Sequence, residues 1–172
     1  VVDQYGTFNG AQDKYNWELK GIKKMIVPGI SNAMGTNSLD KTHGVGHLNP
    51  EYVHFEEKEV AIVHATLKEG QRHLYASRTF YVTTDGYNIV AQDIYDGQGN
   101  LMRNAINTIA TDIAGAEGEC YINGEYTFDF ATRQYAGNNM IGNAINSQPA
   151  LYGGPSKDVS FYTPDGLRRY AR

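Results

Sequence analysis

The sequence predicts a mainly β fold, an antiparallel meander sheet with little helix. Three observations carry that prediction. Thirteen Tyr and 19 Gly stand against 5 Pro and 1 Trp, a balance that suits half-buried strands and tight turns better than helices. From Tyr52 to Thr111 apolar residues recur in successive alternating runs, the signature of strands with one face turned inward. The separators "KEGQ", "TTDG" and "DGQGN" are short and each contains Gly, which supplies the positive φ that hairpin turns require.

Taken in order, the elements follow from local pattern. In "KYNWELKGIKKMIV", residues 14–27, Tyr15, Trp17 and Leu19 alternate and Gly21 interrupts any helical reading, so the segment reads as a strand with a bend. Residues 28–50 are dense in Gly, Ser, Asn and Pro and read as a long loop, of a length uncommon unless functional or mobile. Runs near 52–56, 58–68, 72–83, 87–95 and 100–111 follow, and strands joined this tightly must be antiparallel neighbours. "CYINGEYTFDFAT", residues 120–132, reads as a further strand with a turn or bulge at Asn123-Gly124. Beyond it Tyr126, Phe128 and Phe130 share one side, because successive strand side chains point to opposite faces. The organisation is a sheet domain over 1–136, of about five or six strands, and an extended arm over 137–172.

Composition bounds the class. A chain of 172 residues, 41% hydrophobic and 20% charged, has the makeup of one folded domain. The net charge of −4, with Lys and Arg scattered, offers no footprint for a phosphate backbone, so nucleic acid is not expected as a partner. The single cysteine, Cys120, cannot form an internal disulfide and reads as a buried, idle thiol. No run reaches the roughly 20 apolar residues needed to span a bilayer, and "VVDQYGTFNG" has no leader-like character. Without an initiator Met, the chain is expected to be a processed or excised piece of something longer.

Candidate chemistry is sparse. His43, His47 and His54 lie within twelve residues beside Glu51, but Gly44, Gly46 and Pro50 oppose the helix that would put the imidazoles on one face, and no metal site is expected. His64 lies within "AIVHATL" and His73 opens the next run, without a nucleophile or orienting carboxylate in the pattern, so no catalytic residue is assigned. Asp85 and Asp96 each precede Gly and read as turn residues. Asp93 belongs with them in a segment lacking the oxygen spacing of a calcium loop. "GVGHLN" and "YGGPSKD" are not phosphate loops, and no cofactor is expected.

The faces of the strands hold the remaining information. In "EVAIVHATL" Val60 and Ile62 lie on one face, and Ala61, Val63, Ala65 and Leu67 on the other. In "HLYASRTFYV" Leu74, Phe80 and Val82 share a face. A sheet with a continuous apolar face must be covered by another layer, another chain or an apolar ligand.

The segments "DKYNWELKGIKKMIVP", "LNPEYVHFEEKEVAIVHATLKEGQRHLYASRTFYV" and "DGYNIVAQDIYDGQGNLMR" resemble the C-terminal half of the Gram-negative 1329 family of domains of unknown function, whose members are described as outer-membrane lipoprotein-sorting-like. The resemblance spans residues 10–130. "FYVTTDGYNIVAQDIYDGQGNL" is also similar to the strand and turn units of periplasmic lipoprotein carriers. These likenesses imply a curved sheet, an incomplete β-barrel, and a place in the periplasm or at the outer-membrane periphery of a Gram-negative bacterium. They further imply a missing N-terminal half that a partner or the longer protein would supply.

The expected function is therefore non-enzymatic: binding or carrying a hydrophobic molecule, such as a lipid or a lipoprotein acyl chain, on the concave face of the sheet. Val60, Ile62, Leu74, Phe80, Val82 and Ile89 are the expected lining. An alternative is a structural or assembly subunit whose apolar face is covered by a protein partner. A second alternative is an enzyme using His64 or the His43 and His47 loop.

Overall fold

The computed structural model describes residues 2–111, 120–138 and 158–170. Seven strands form one antiparallel sheet in sequence order: β1 (Tyr15–Pro28), β2 (Phe55–Leu67), β3 (Ser77–Thr83), β4 (Ile89–Tyr95), β5 (Leu101–Thr111), β6 (Cys120–Asp129) and β7 (Gln134–Asn138). The meander is as predicted, with one strand more than expected. β7 is short and its residues alternate only between exposed and half-buried, a contrast too weak to mark a strand in sequence. The run at 72–83 becomes a strand only at Ser77. Ahead of it the Tyr75 amide donates to its neighbour His73 Nδ1 at 2.9 Å, and the Tyr75 ring is fully buried. This local turn takes Leu74 off the sheet.

Turn chemistry joins the strands. The Asp96 carboxylate accepts from the amides of Gln98 and Asn100, each at 2.8 Å, which holds the tight connection between β4 and β5. At the neighbouring turn Asp85 accepts from Lys58 Nζ at 2.6 Å. Four bulges set the register. The first, at Lys20 between Leu19 and Gly21, gives Gly21 a φ of +133° that L side chains rarely adopt. The second falls at Val90, between Tyr81 and Val82 of the partner strand, the third at Met102 and the fourth at Asn123. Each bulge flips the side chains that follow it to the opposite face.

The sheet is open, with β1 and β7 as its two edges, yet it is strongly curled. Beyond β1 the chain pairs with β5: Ser31 N–H donates to Ile109 C=O at 2.7 Å, and Ile109 N–H to Gly29 C=O at 3.4 Å. Five strands of a flat sheet would span roughly 19 Å from first to last, so this contact requires the sheet to bend back on itself. Val27, Val60, Val90 and Ile109 fill the bend, with Met25 and Tyr81 against them. The sheet curls toward the face that carries Val60 and Tyr81, and its own side chains fill that hollow.

The connection from β1 to β2, expected as an irregular loop, contains two short helices, α1 (Asn32–Thr36) and α2 (Leu39–Thr42). It lays Met34, Leu48 and Val53 on Tyr126 of β6, with Ile106, Phe128 and Tyr135 packed around them. This is a cover for the β5 to β7 side. Full burial of an aromatic or aliphatic side chain there stabilises by roughly 1.5–3 kcal/mol. Within the expected arm, α3 (Pro164–Tyr170) is helical, and Phe161 packs edge-on against Tyr162 and Tyr170. Residues 139–157 of that arm, and the side chain of Cys120, lie outside what is described.

Candidate functional site

Opposite the filled hollow, the other face of the sheet divides into a covered part and an open part. A strap of residues 2–9 crosses the covered part. The amides of Gly6 and Thr7 donate to the two oxygens of Glu125 at 2.9 and 3.1 Å. Gln4 donates to Thr127 Oγ1 at 2.7 Å and accepts from Tyr75 Oη at 2.6 Å, and Asn107 Nδ2 donates to Thr7 Oγ1. Gly6 and Thr7 both have positive φ, +61° and +72°. For a β-branched residue such as Thr7 that conformation is strained.

At one end of the strap Asp3 pairs with Arg78 of β3. The Arg78 guanidinium is fully buried among the rings of Phe8, Tyr15 and Tyr75, 4.8–5.4 Å from their centroids, and donates to Tyr15 Oη at 3.1 Å. Burial raises the pKa of Tyr15 and of Tyr75, so both stay neutral and hydrogen-bonding. Burial also raises the Glu125 carboxyl against the lowering pull of the Thr7 and Gly6 amides. At the far end of the face an open polar cleft of about 510 Å³ lies between Gln4, Arg103, Asp129 and Gln134.

The open part adjoins Arg78. Register places Ile22, Ala61, Val82 and Ile89 in one row across four strands. The next row holds Leu19, Val63 and Phe80, and the one after it Trp17, Ala65 and Arg78. Leu19 is 62% and Ile22 54% exposed, so no described element covers this field from the β1 side. Ile26, 67% exposed, continues it along β1. Phe8 of the strap touches its border, with ring centroids 5.5 Å from Phe80 and 5.4 Å from Trp17. Large apolar side chains aligned on one face and left open are the unusual feature of the molecule.

The expected lining residues divide accordingly. Val82 and Ile89 are half-buried beside the open field, whereas Phe80, on the same face, is buried with Tyr15 and Ala65 beneath Phe8. Val60 and Ile62 lie on the opposite face, paired with Thr83 and Tyr81, and Val60 is fully buried in the filled hollow. Leu74 stands in the turn before β3, 56% exposed, and does not share the face of Phe80 and Val82. Sequence reasoning missed Ile22 and Ile26, which join Leu19 only because the Lys20 bulge reverses the alternation. Gly21 was the available signal. It also missed the strap, whose partners lie up to 123 residues away.

His73 Nε2 lies 2.9 Å from Asp3 of the strap, and three other histidines have neighbours of their own. His64 Nδ1 lies 3.0 Å from Thr79 Oγ1. His43 Nδ1 lies 2.7 Å from Thr42 Oγ1, its ring stacks on Tyr135, and burial lowers its pKa. His47 Nδ1 lies 2.6 Å from Leu48 C=O. Among the described residues no three His, Cys, Asp or Glu side chains converge to hold a metal ion, and no helix is long and apolar enough to cross a membrane.

An uncharacterized protein of Pseudomonas aeruginosa is 31% identical to this chain over 176 residues, covering 97% of the chain and 36% of the relative. The chain thus spans about a third of that relative's length. Among solved structures, a domain described as an outer membrane lipoprotein-sorting protein domain from Vibrio parahaemolyticus aligns at a TM-score of 0.46 with 8% identity, over 76% of this chain and 41% of that one. A DUF1329 family protein from Desulfovibrio piger aligns at 0.45 with 12% identity, over 90% and 48%. The family described as protein of unknown function (DUF1329) matches residues 1–168, and the chain belongs to that family.

Proposed function

We propose that this chain binds and carries an apolar molecule, a lipid or an acyl chain, on the open field formed by Leu19 and Ile22 with the half-buried Val63, Val82 and Ile89 beside them, in the envelope of a Gram-negative bacterium. The observation that carries the reading is the exposure of Leu19 and Ile22 in register with apolar residues of the next three strands. The chemistry is burial without catalysis. Each CH₂ taken from water contributes about 0.8 kcal/mol, so a long chain is held without any reaction or metal. The hollow on the opposite face is filled by Val27, Val60, Val90 and Ile109, which moves the site away from the concave side.

Uptake of a fluorescent fatty acid, with organic extraction and mass spectrometry of the purified protein, tests the proposal. Leu19→Asp and Ile22→Asp are expected to abolish uptake, whereas His64→Ala, on the opposite face, leaves it intact. Absence of any bound apolar species together with no uptake overturns it.

A second reading rests on the edge of the sheet. Among the described residues β1, of 14 residues, is the longest strand, and one of its sides has no described strand beside it in the sheet order. An edge of that length is a template for further strands, from a protein partner or from the rest of a longer chain. In that case the field is an interface and not a ligand site. Hydrogen exchange of the outward-facing β1 amides separates the two: fast exchange in the full-length protein favours the ligand reading, and protection favours the assembly reading.

A further inference from the structure

We propose that residues 3–8 hold the place of a ligand with an anionic head and an apolar tail: Asp3 stands where the head binds Arg78, Phe8 stands where the tail begins, and such a ligand displaces them. The inference rests on the reading of the apolar field as a ligand site and names the class of ligand.

The strap repeats that chemistry in order. Its carboxylate lies on a fully buried guanidinium, and its aromatic ring lies on Phe80 and Trp17 at the border of the open field. From Arg78, β3 runs on through Phe80 to Val82 with these side chains on one face, four residues or roughly 14 Å at the rise of a strand. A straight chain anchored at Arg78 lies along this track and crosses the row of Ile22, Ala61, Val82 and Ile89.

Two observations indicate that the strap is a replaceable occupant. Asp3 Oδ2 engages Nη2 of Arg78 and lies 2.9 Å from His73 Nε2, while among the described residues Arg78 Nε and Nη1 are buried with no partner, as are Asp3 Oδ1, both amide atoms of Gln92 and Oδ1 of Asn107. Buried polar groups in a permanent core are nearly always paired. A head with two or three freely placed oxygens engages the guanidinium bidentately, which a carboxylate tethered through the strap does not do here. Thr7, at the middle of the strap, is fully buried at a φ of +72°, and the strain is released when the strap lifts.

Trp17 is the sole tryptophan of the 172-residue chain and packs against Phe8, so its emission reports the strap. The experiment titrates the chain with dodecanoate, dodecyl phosphate, methyl dodecanoate and dodecyltrimethylammonium, following Trp17 emission and, in parallel, displacement of a fluorescent fatty acid. The same titrations are made on Asp3→Asn and Phe8→Ala, with circular dichroism to verify the sheet.

Saturable Trp17 changes are expected with the two anionic ligands, and the tighter of them identifies the head as carboxylate or phosphate. The ester and the cation are expected to bind at least about tenfold more weakly. Both strap variants are expected to bind the anions about tenfold more tightly, because a competing occupant no longer reduces the fraction of open sites. Equal affinity of all four ligands for the parent and both variants, with displacement but no Trp17 change, overturns the strap inference and leaves the apolar reading standing. No displacement by any ligand on any variant overturns both.

Discussion

The β5 to β7 side of the sheet and the β1 to β3 side are built from the same meander and are finished differently. On β6 both faces are covered, one by the β1 to β2 connection over Tyr126, the other by the strap over Glu125. On β1 one face carries Leu19, Ile22 and Ile26 into the open. The usual relation of polarity to burial is inverted across the molecule: Glu125, Asn107 and Thr108 are fully buried, whereas three large apolar residues of β1 are more than half exposed. Glu125 holds the strap through paired groups, whereas Arg78, Asn107 and Asp3 keep polar atoms buried without a partner among the described residues. Exposed apolar groups in register bury less than half of their surface here, and the binding proposal rests on them.

The comparison breaks first at Tyr126. It is 1% exposed and lies among Met34, Leu48 and Val53, and burial pushes its hydroxyl pKa up to about 12. Tyr126→Ala removes an aromatic side chain from a closed core and is expected to cost about 3–5 kcal/mol in denaturant unfolding. A loss under about 1 kcal/mol would mean that the connection over β6 is a loose cover, and the contrast between the two sides would disappear.

Glu125 sharpens the contrast through pH. Burial raises its folded pKa above the unfolded value, so the folded protein holds the proton more tightly than the unfolded chain does. The contribution of this group to stability is complete below the unfolded pKa and is lost as pH rises through the folded pKa. Glu125→Gln removes the titration, so the stability difference between parent and variant is expected to shift in favour of the parent as pH falls from neutral toward 5. The measurement is the unfolding midpoint of both proteins over that range. A difference independent of pH would show that the carboxyl is solvated and the strap does not seal it.

The turn at Asp96 gives a smaller effect on the side held by local chemistry. Its carboxylate accepts from two backbone amides in an exposed hairpin, and those bonds together with Asn100 lower its pKa. Asp96→Ala is expected to lower the thermal unfolding midpoint slightly, through loss of the two turn hydrogen bonds, without changing ligand uptake. Loss of uptake with Asp96→Ala would tie the far turn to the open field.

Strands and turns were legible because each is written in neighbouring residues: the alternation of Tyr15, Trp17 and Leu19, the Gly after Asp96, the bend at Gly21. The lattice of the face was not. A bulge adds one residue and reverses every side chain beyond it, so Leu19 and Ile22, three apart and of opposite parity, meet on one face. In the same way, Val60 and Phe80 have the look of one lining in sequence and fall on opposite sides of the sheet. Helices of 5 and 4 residues, as in α1 and α2, are too short to show a helical period. The strap has no pattern of its own, since Asp3, Gln4 and Thr7 are explained only by Arg78, Tyr75, Asn107 and Glu125 far along the chain.

The smallest expected effect on stability is the most telling for function. Ile22 is 54% exposed and touches no closed core, so Ile22→Asp is expected to change the unfolding free energy by no more than about 0.5 kcal/mol, the ordinary range for a surface substitution. If the field binds an acyl chain, the same substitution puts a charge into the apolar row with Ala61, Val82 and Ile89, where ligand binding would strip its water. Uptake should then fall by at least about tenfold while stability stays level, each tenfold being 1.4 kcal/mol of binding. A large loss of stability would place Ile22 in a core formed with a partner or a second copy, and unchanged uptake would remove the field as the site.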